Sequence, residues 1–141
     1  MKSLEEQIRR RCVHFTGLMT SKSCSAGVAY LTVHNKELPG TRGYPCFREN
    51  ESVPCQHRRF PTDEEATTEA NERREQSKKT TAAMTVAMED AKSRGFGVGK
   101  GGEGSVACPV CSTGTLRYSV AALNGHVWGR CSTPNCVSWM M

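Results

Sequence analysis

Hydrophobic positions are sparse along this chain and change period several times. The clearest alternation lies near the end, where Leu116, Tyr118, Val120 and Ala122 share one side of the segment 115–123, and Val127 and Cys131 share one side of 126–131. Successive side chains of a strand point to opposite faces, so this spacing predicts a β-hairpin. Asn124-Gly125, between the two segments, is the favoured pair for a two-residue type I′ turn. Such a turn would set Leu123 opposite His126, Ala121 opposite Trp128 and Ser119 opposite Arg130. The apolar side then belongs against a core, and the other side carries Arg117, Ser119, Ala121, Leu123, His126, Trp128 and Arg130.

A helical pattern governs the middle. Thr62 and Glu65 have capping-box spacing, Asp63, Glu64 and Glu65 are acids at a helix start, and no proline or glycine follows until after Arg94. A long helix is expected over 61–94. Its first half, 64–81, is polar apart from Ala66 and Ala70 and reads as a solvated spacer. Its second half places Ala83, Val86, Ala87 and Ala91 at helical spacing near Met84 and Met88, a surface for a second copy in a homodimer or for one of the metal modules. A short helix is expected after Ser3, with Glu5 and Glu6 in its first turn and Arg9, Arg10 and Arg11 at its end. The stretch 27–33 has strand character. Residues 95–104 hold six glycines. They fit no phosphate loop, because Arg94 stands where its first glycine would be and Gly101 follows Lys100. They open no helix after a strand either, so 95–107 reads as a flexible linker.

Composition argues against one large core: the hydrophobic fraction is 37% and the aromatic fraction 6%, against about 45–50% apolar residues in an ordinary domain. Small units need staples, and eight cysteines can supply them. The opening residues contain no apolar signal-peptide core and no stretch is long enough for a membrane span, which favours metal ligation over disulfides and an intracellular, non-membrane protein. The net charge is +5, with segments 1–60, 61–95 and 96–141 carrying +5, −2 and +2. The basic ends favour acidic partners.

The cysteines fall into two sets. Cys108-Pro-Val-Cys111 and Cys131-Ser-Thr-Pro-Asn-Cys136 form two close pairs nineteen residues apart, a pattern suited to tetrahedral Zn(II). Cys12, Cys24, Cys46 and Cys55 lie in a turn-rich segment at wider spacing. A second Zn(II) is the first reading there, and an iron–sulfur cluster the alternative, because a four-sulfur set does not distinguish them. His14 and His57 each stand two residues after a cysteine and could replace or support a thiolate; His34 has no partner in sequence. The fold class expected is a small metal-stapled α+β protein. It comprises an N-terminal four-cysteine metal module over 1–60, the long central helix over 61–94, the glycine-rich linker over 95–107, and a C-terminal zinc-ribbon β-hairpin over 108–141.

The function expected is non-enzymatic. No His-Glu-x-x-His, Gly-x-Ser-x-Gly or zinc-deaminase pattern occurs, and a site of four cysteines leaves no open position for water. A redox or iron–sulfur role is the exception. Arg117 and Arg130 beside Trp128 suit single-stranded nucleic acid, with guanidinium groups on phosphate and the indole on a base. Arg9, Arg10 and Arg11 would add phosphate contacts. The alternative is an adaptor or inhibitor that binds a host protein, such as a defence or transcription component, through Trp128 or the Met84/Met88 surface.

Two resemblances bear on this. Cys108-Pro-x-Cys111, Gly114-x-Leu116 and Trp128-Gly129-x-Cys131-Ser132-x-Pro134-x-Cys136 resemble the zinc ribbons at the C-terminus of bacterial type I topoisomerases, which implies a zinc ribbon and contact with single-stranded DNA. The likeness covers about 30 residues, and the second knuckle has four residues between its cysteines where that family often has five. Over its full length the chain is similar to small bacteriophage and prophage proteins. The residues that carry this are Cys12-x-His14-Phe15-x-Gly17, Cys24-x-Ala26-Gly27-Val28-x-Tyr30, Pro45-Cys46-Phe47, Cys55 and Arg59-Phe60-Pro61-Thr62-x-Glu64-Glu65. That resemblance implies a phage origin and the cytoplasm of an infected bacterial cell, and it implies no activity.

Overall fold

A computed structural model of the chain describes residues 1–17, 24–28, 45–50 and 55–140. It is a small α+β structure with one long helix and one antiparallel sheet of four strands. The chain divides into two compact units, Met1–Glu72 and Arg73–Met141. Among the described residues no helix is long and apolar enough to cross a membrane.

The first unit opens with helix α1, Leu4–Arg9, started by a capping box in which the Glu6 amide donates to Ser3 Oγ at 3.2 Å and the Ser3 amide to Glu6 Oε2 at 2.7 Å. A single turn of 3-10 helix spans Arg48–Asn50. Its apolar core is small, with Ile8, Ala66 and Ala70 buried together and Leu4 against them. Helix α2, Asp63–Ser93, therefore begins inside this unit, and the expectation of a solvated first half is corrected at Ala66 and Ala70, both 0% exposed. Two alanines one turn apart leave a flat strip on an otherwise polar helix, narrow enough for α1 to lie close. Thr62 and Glu65 cap α2 as their spacing predicts, the Thr62 amide donating to Glu65 Oε2 at 2.8 Å and the Glu65 amide to Thr62 Oγ1 at 3.2 Å. The strand expected over 27–33 falls outside the described residues from position 29 onward, as does His34.

In the second unit α2 ends at a left-handed glycine. Gly95 has φ +72°, its amide donates to Lys92 O, and the Phe96 amide donates to Ala91 O, the pair of bonds that closes a Schellman cap. Strands β1 (Gly102–Ala107), β2 (Thr115–Val120), β3 (Val127–Cys131) and β4 (Ser138–Met140) follow and pair in sequence order, all antiparallel. The glycine-rich segment expected as a tether is thus corrected: its second part is an edge strand with Gly104 opposite Tyr118 and Val106 opposite Leu116.

The physical reason lies on the buried face of the sheet. One cross-strand row reads Gly104, Tyr118, Gly129, Trp139. A Cβ at Gly104 would stand 2.3 Å from Tyr118 Oη, and one at Gly129 would stand 2.1 Å from Trp139 Cη2. Each ring occupies the space a side chain on its neighbour would need, so glycine here is a slot for an aromatic ring. The next row holds Leu116 and Cys131, and Ala83, Ala87 and Ala91 of α2 complete the core with Val120, Val127 and Val137. The alanine face of α2, expected to meet a second copy or a metal module, is covered by this sheet. Tyr118 Oη also donates to Asp90 Oδ2 on the helix, and Asp90 pairs with Arg94 at 2.9 Å.

The hairpin register also differs from expectation. Val120 pairs with Val127, Ser119 with Trp128, Tyr118 with Gly129 and Arg117 with Arg130. This is a shift of two positions relative to the two-residue turn at Asn124-Gly125. The chain instead crosses over 121–126, held by the Ala121 amide to His126 O at 2.9 Å and the Gly125 amide to Ala121 O at 2.8 Å. Because the shift is an even number, each side chain keeps the face that the alternation assigned. Ala122 alone leaves the buried face, since it lies in the connection and is exposed.

Candidate metal centre and the sheet face beside it

Four sulfurs meet at one end of the sheet. Cys108 follows β1, Cys111 closes the first knuckle, Cys131 ends β3 and Cys136 precedes β4, and their Sγ atoms all lie within 4.8 Å of one another. Cys108 and Cys136 are 3.8 Å apart and Cys111 and Cys131 are 3.6 Å apart. Four sulfurs about 2.3 Å from a tetrahedral ion stand about 3.8 Å from each other, so the spacing matches such a centre, and all four cysteines are free of disulfides. The four could hold one metal ion.

The backbone around the sulfurs is shaped for anionic ligands. The Gly114 amide points to Cys111 Sγ at 3.3 Å and the Thr133 amide to Cys131 Sγ at 3.4 Å, while Thr133 Oγ1 lies 3.4 Å from Cys111 Sγ. A Cβ at Gly114 would stand 2.5 Å from Thr133 Oγ1 and 2.6 Å from Cys131 Sγ, so only glycine lets that amide reach the sulfur. A left-handed residue that is not glycine follows the first knuckle and another lies within the second, Ser112 at φ 58° and Asn135 at φ 59°. Such residues are uncommon and cluster where the surroundings hold them.

The sulfurs differ in their proton demand. The Thr133 hydroxyl, then backbone N–H groups, pull the Cys111 thiol down to about 5. Burial, then its cysteine neighbours, pushes the Cys136 thiol up to about 12. A metal ion at their centre would let four thiolates coexist. Four protein sulfurs around one ion would fill a tetrahedral coordination sphere.

The open face of the sheet begins beside this centre. Arg117 and Arg130 face each other across β2 and β3, flanked by Ser105 on β1 and Ser138 on β4. The adjoining row is Glu103, Ser119, Trp128 and Met140. Trp128 is 40% exposed and Met140 82%. Among the described residues neither Arg117 nor Arg130 forms an ion pair. Glu103, Ser105, Arg117, Ser119, Trp128 and Arg130 line one shallow groove on this face.

The remaining predicted site residues are placed differently. Arg9, Arg10 and Arg11 do not assemble as an open cationic patch. Arg9 Nε meets Asp63 Oδ1 at 3.0 Å as a charge contact, Arg10 pairs with Glu49 at 2.6 Å, and Arg11 lies 5.9 Å above the Phe15 ring. Acids distant in sequence neutralise the first two, which sequence spacing does not reveal. Cys12 is buried, whereas Cys24, Cys46 and Cys55 are half-buried. Their sulfurs do not form a group within 4.8 Å as the C-terminal four do. His14 Nδ1 lies 3.5 Å from Ser25 Oγ and His57 Nε2 lies 3.4 Å from Gln56 Nε2, so both rings stand beside polar neighbours other than cysteine. Thr133 and Trp139 escaped the sequence reading, and Gly114 entered it only through the ribbon resemblance. Gly114 stands three residues after Cys111 and Thr133 two after Cys131, a spacing from which amide and hydroxyl can return to the knuckle sulfurs.

No family model, curated protein or solved structure matches the chain.

Proposed function

We propose that the second unit is a zinc-stabilised nucleic-acid-binding module that uses the open face of its sheet. The observation that supports this best is the direct pairing of Arg117 with Arg130. Like charges opposite each other on a sheet destabilise it, and among the described residues no acid forms an ion pair with either arginine. An anion bound between them would. Trp128 stands in the next row, half-exposed, where a base can stack on it while phosphate meets the guanidinium groups. The four thiolates take Zn(II), which fixes the ends of β1 and β3 and so holds the face in shape. The resemblance to topoisomerase zinc ribbons, which implies contact with single-stranded DNA, supports this reading.

Titration with a single-stranded oligonucleotide tests it. Trp128→Ala should weaken binding by roughly 5- to 150-fold, the equivalent of ~1–3 kcal/mol for one stacked base, with zinc content unchanged. Neutralising two phosphates predicts a slope of log K against log salt of about −1.4. No binding at low salt would overturn the proposal. One observation favours a protein partner instead: Met88, Phe96, Val120 and Val127 line an apolar groove on the same unit, and Met88 is 47% exposed. Binding of a host protein that survives Trp128→Ala but not Met88→Glu would favour that second reading.

A further inference from the structure

The first unit holds four further cysteines on loops that its own packing does not account for. Among the described residues 1–72, the buried apolar side chains are Ile8, Cys12, Ala66 and Ala70, with Pro45 and Pro61 also enclosed. So small a core does not order a unit of this size by itself. Its loops are nonetheless brought together at the cysteines. The Cys12 amide donates to Cys46 O at 2.6 Å, the Arg59 amide points to Cys12 Sγ at 3.5 Å, and Phe15 and Cys24 form a β-bridge.

The local geometry of the cysteines repeats. Cys12, Cys24 and Cys55 each head a turn in which their carbonyl accepts from the residue three positions on: Phe15 at 3.0 Å, Gly27 at 3.2 Å and Arg58 at 3.3 Å. Gly27 takes the left-handed φ of +79° that such a turn uses. The segments that carry the cysteines are tied to one another by backbone groups: besides the Cys12–Cys46 bond, the Val13 amide donates to Arg59 O at 2.8 Å, the Ser25 amide to His14 O at 2.7 Å, and the Arg58 guanidinium to Pro45 O at 3.4 Å. None of the four is in a disulfide.

We infer that Cys12, Cys24, Cys46 and Cys55 hold a second tetrahedral Zn(II), and that this ion takes the place of an apolar core in the first unit. The donor set is sulfur alone, which selects a thiophilic metal, and four thiolates around one ion complete a tetrahedral zinc site. The sulfurs stand further apart than the C-terminal four, so loading draws the turns inward. The consequence reaches α2, because the segment after Cys55 runs straight into its cap. Arg59, whose amide points to Cys12 Sγ, also clamps Glu65 with two contacts of 3.0 and 2.9 Å. The inference is independent of what the sheet face of the second unit binds.

Elemental analysis of the full chain, purified anaerobically and equilibrated with zinc, provides the test. Two zinc ions per chain are expected. Cys46→Ser and Cys111→Ser should each leave one, and peptide-resolved alkylation should show different thiols released: Cys12, Cys24 and Cys55 in the first, Cys108, Cys131 and Cys136 in the second. Should Cys46→Ser fail to fold, stepwise chelation of the unaltered chain gives the same information, with Cys12, Cys24, Cys46 and Cys55 becoming reactive together as one equivalent of zinc leaves. One zinc per chain with those four thiols reactive throughout, recovery of them as disulfides, or iron in place of zinc would each overturn the assignment.

Discussion

The two units carry the same number of cysteines and use them under different circumstances. In the second unit the four sulfurs cap a sheet that already has a core, with Leu116 fully buried and Tyr118, Val120 and Val127 packed on three alanines of α2. In the first unit the cysteines join irregular turns around a few small apolar residues. A ligand set read from sequence therefore does not say how much of the structure depends on it. That depends on what else the surrounding residues can bury.

Metal removal should break the symmetry most strongly. Binding at a four-thiolate site contributes on the order of 10 kcal/mol to folding. After exhaustive chelation, hydrogen exchange should show complete loss of amide protection in the described loops of 1–60, while β2 and β3 keep measurable protection from their packing on α2. Equal loss in both units would show that the core of the second contributes little.

A smaller effect probes that core directly. Gly129→Ala places a methyl group where the Trp139 ring now lies. Overpacking of this kind costs about 1–3 kcal/mol, so the zinc-loaded variant should unfold at lower denaturant, with its N-terminal cysteines as protected from alkylation as before. A variant as stable as the parent would mean that the row of glycines and rings is not tightly packed.

The smallest effect is in pH dependence. Burial, and then its bond to Asp90, pushes Tyr118 up to about 12 from an ordinary 10.0. The neutral phenol is therefore favoured by folding. Its contribution is fully present below pH 10 and is lost as pH rises through about 12. Asp90, held below its ordinary value by the Tyr118 hydroxyl first, contributes above its unfolded pKa and loses that contribution as pH falls through its lowered folded value. In the first unit Glu65 is lowered chiefly by Arg59, which supplies an acid limb with no tyrosine counterpart among the resolved shifts. Tyr118→Phe should therefore flatten the alkaline limb for the second unit alone, measured by denaturant unfolding across pH at saturating zinc. An unchanged alkaline limb would show that the contact to Asp90 carries no weight.

Much of the fold was legible where its signals are local. Knuckle spacing located the C-terminal sulfurs, Thr62 and Glu65 located the start of α2, and alternation assigned the faces of β2 and β3. The register was not legible: Asn124-Gly125 favours a tight turn, but the pairing that sets Val120 against Val127 is decided by packing on α2. The role of the glycines was hidden for a similar reason. Gly102 and Gly104 look like tether residues until Phe96 and Tyr118 occupy the space above them. The arginines at 9 and 10 looked like a free cluster because Asp63 and Glu49, which neutralise them, are far away in sequence.

Sequence alone was sufficient for whatever depends on neighbours a few residues apart: which cysteines form knuckles, where the long helix begins and which strand positions face inward. Only tertiary structure decided which residues share a row across the sheet, which charges have partners and which helix faces are covered. Those outcomes depend on packing between segments brought together by folding, and local spacing carries no record of it. The pairing of Arg117 with Arg130 is of this second kind, and so the proposed ligand of the open face follows from the register of β2 and β3.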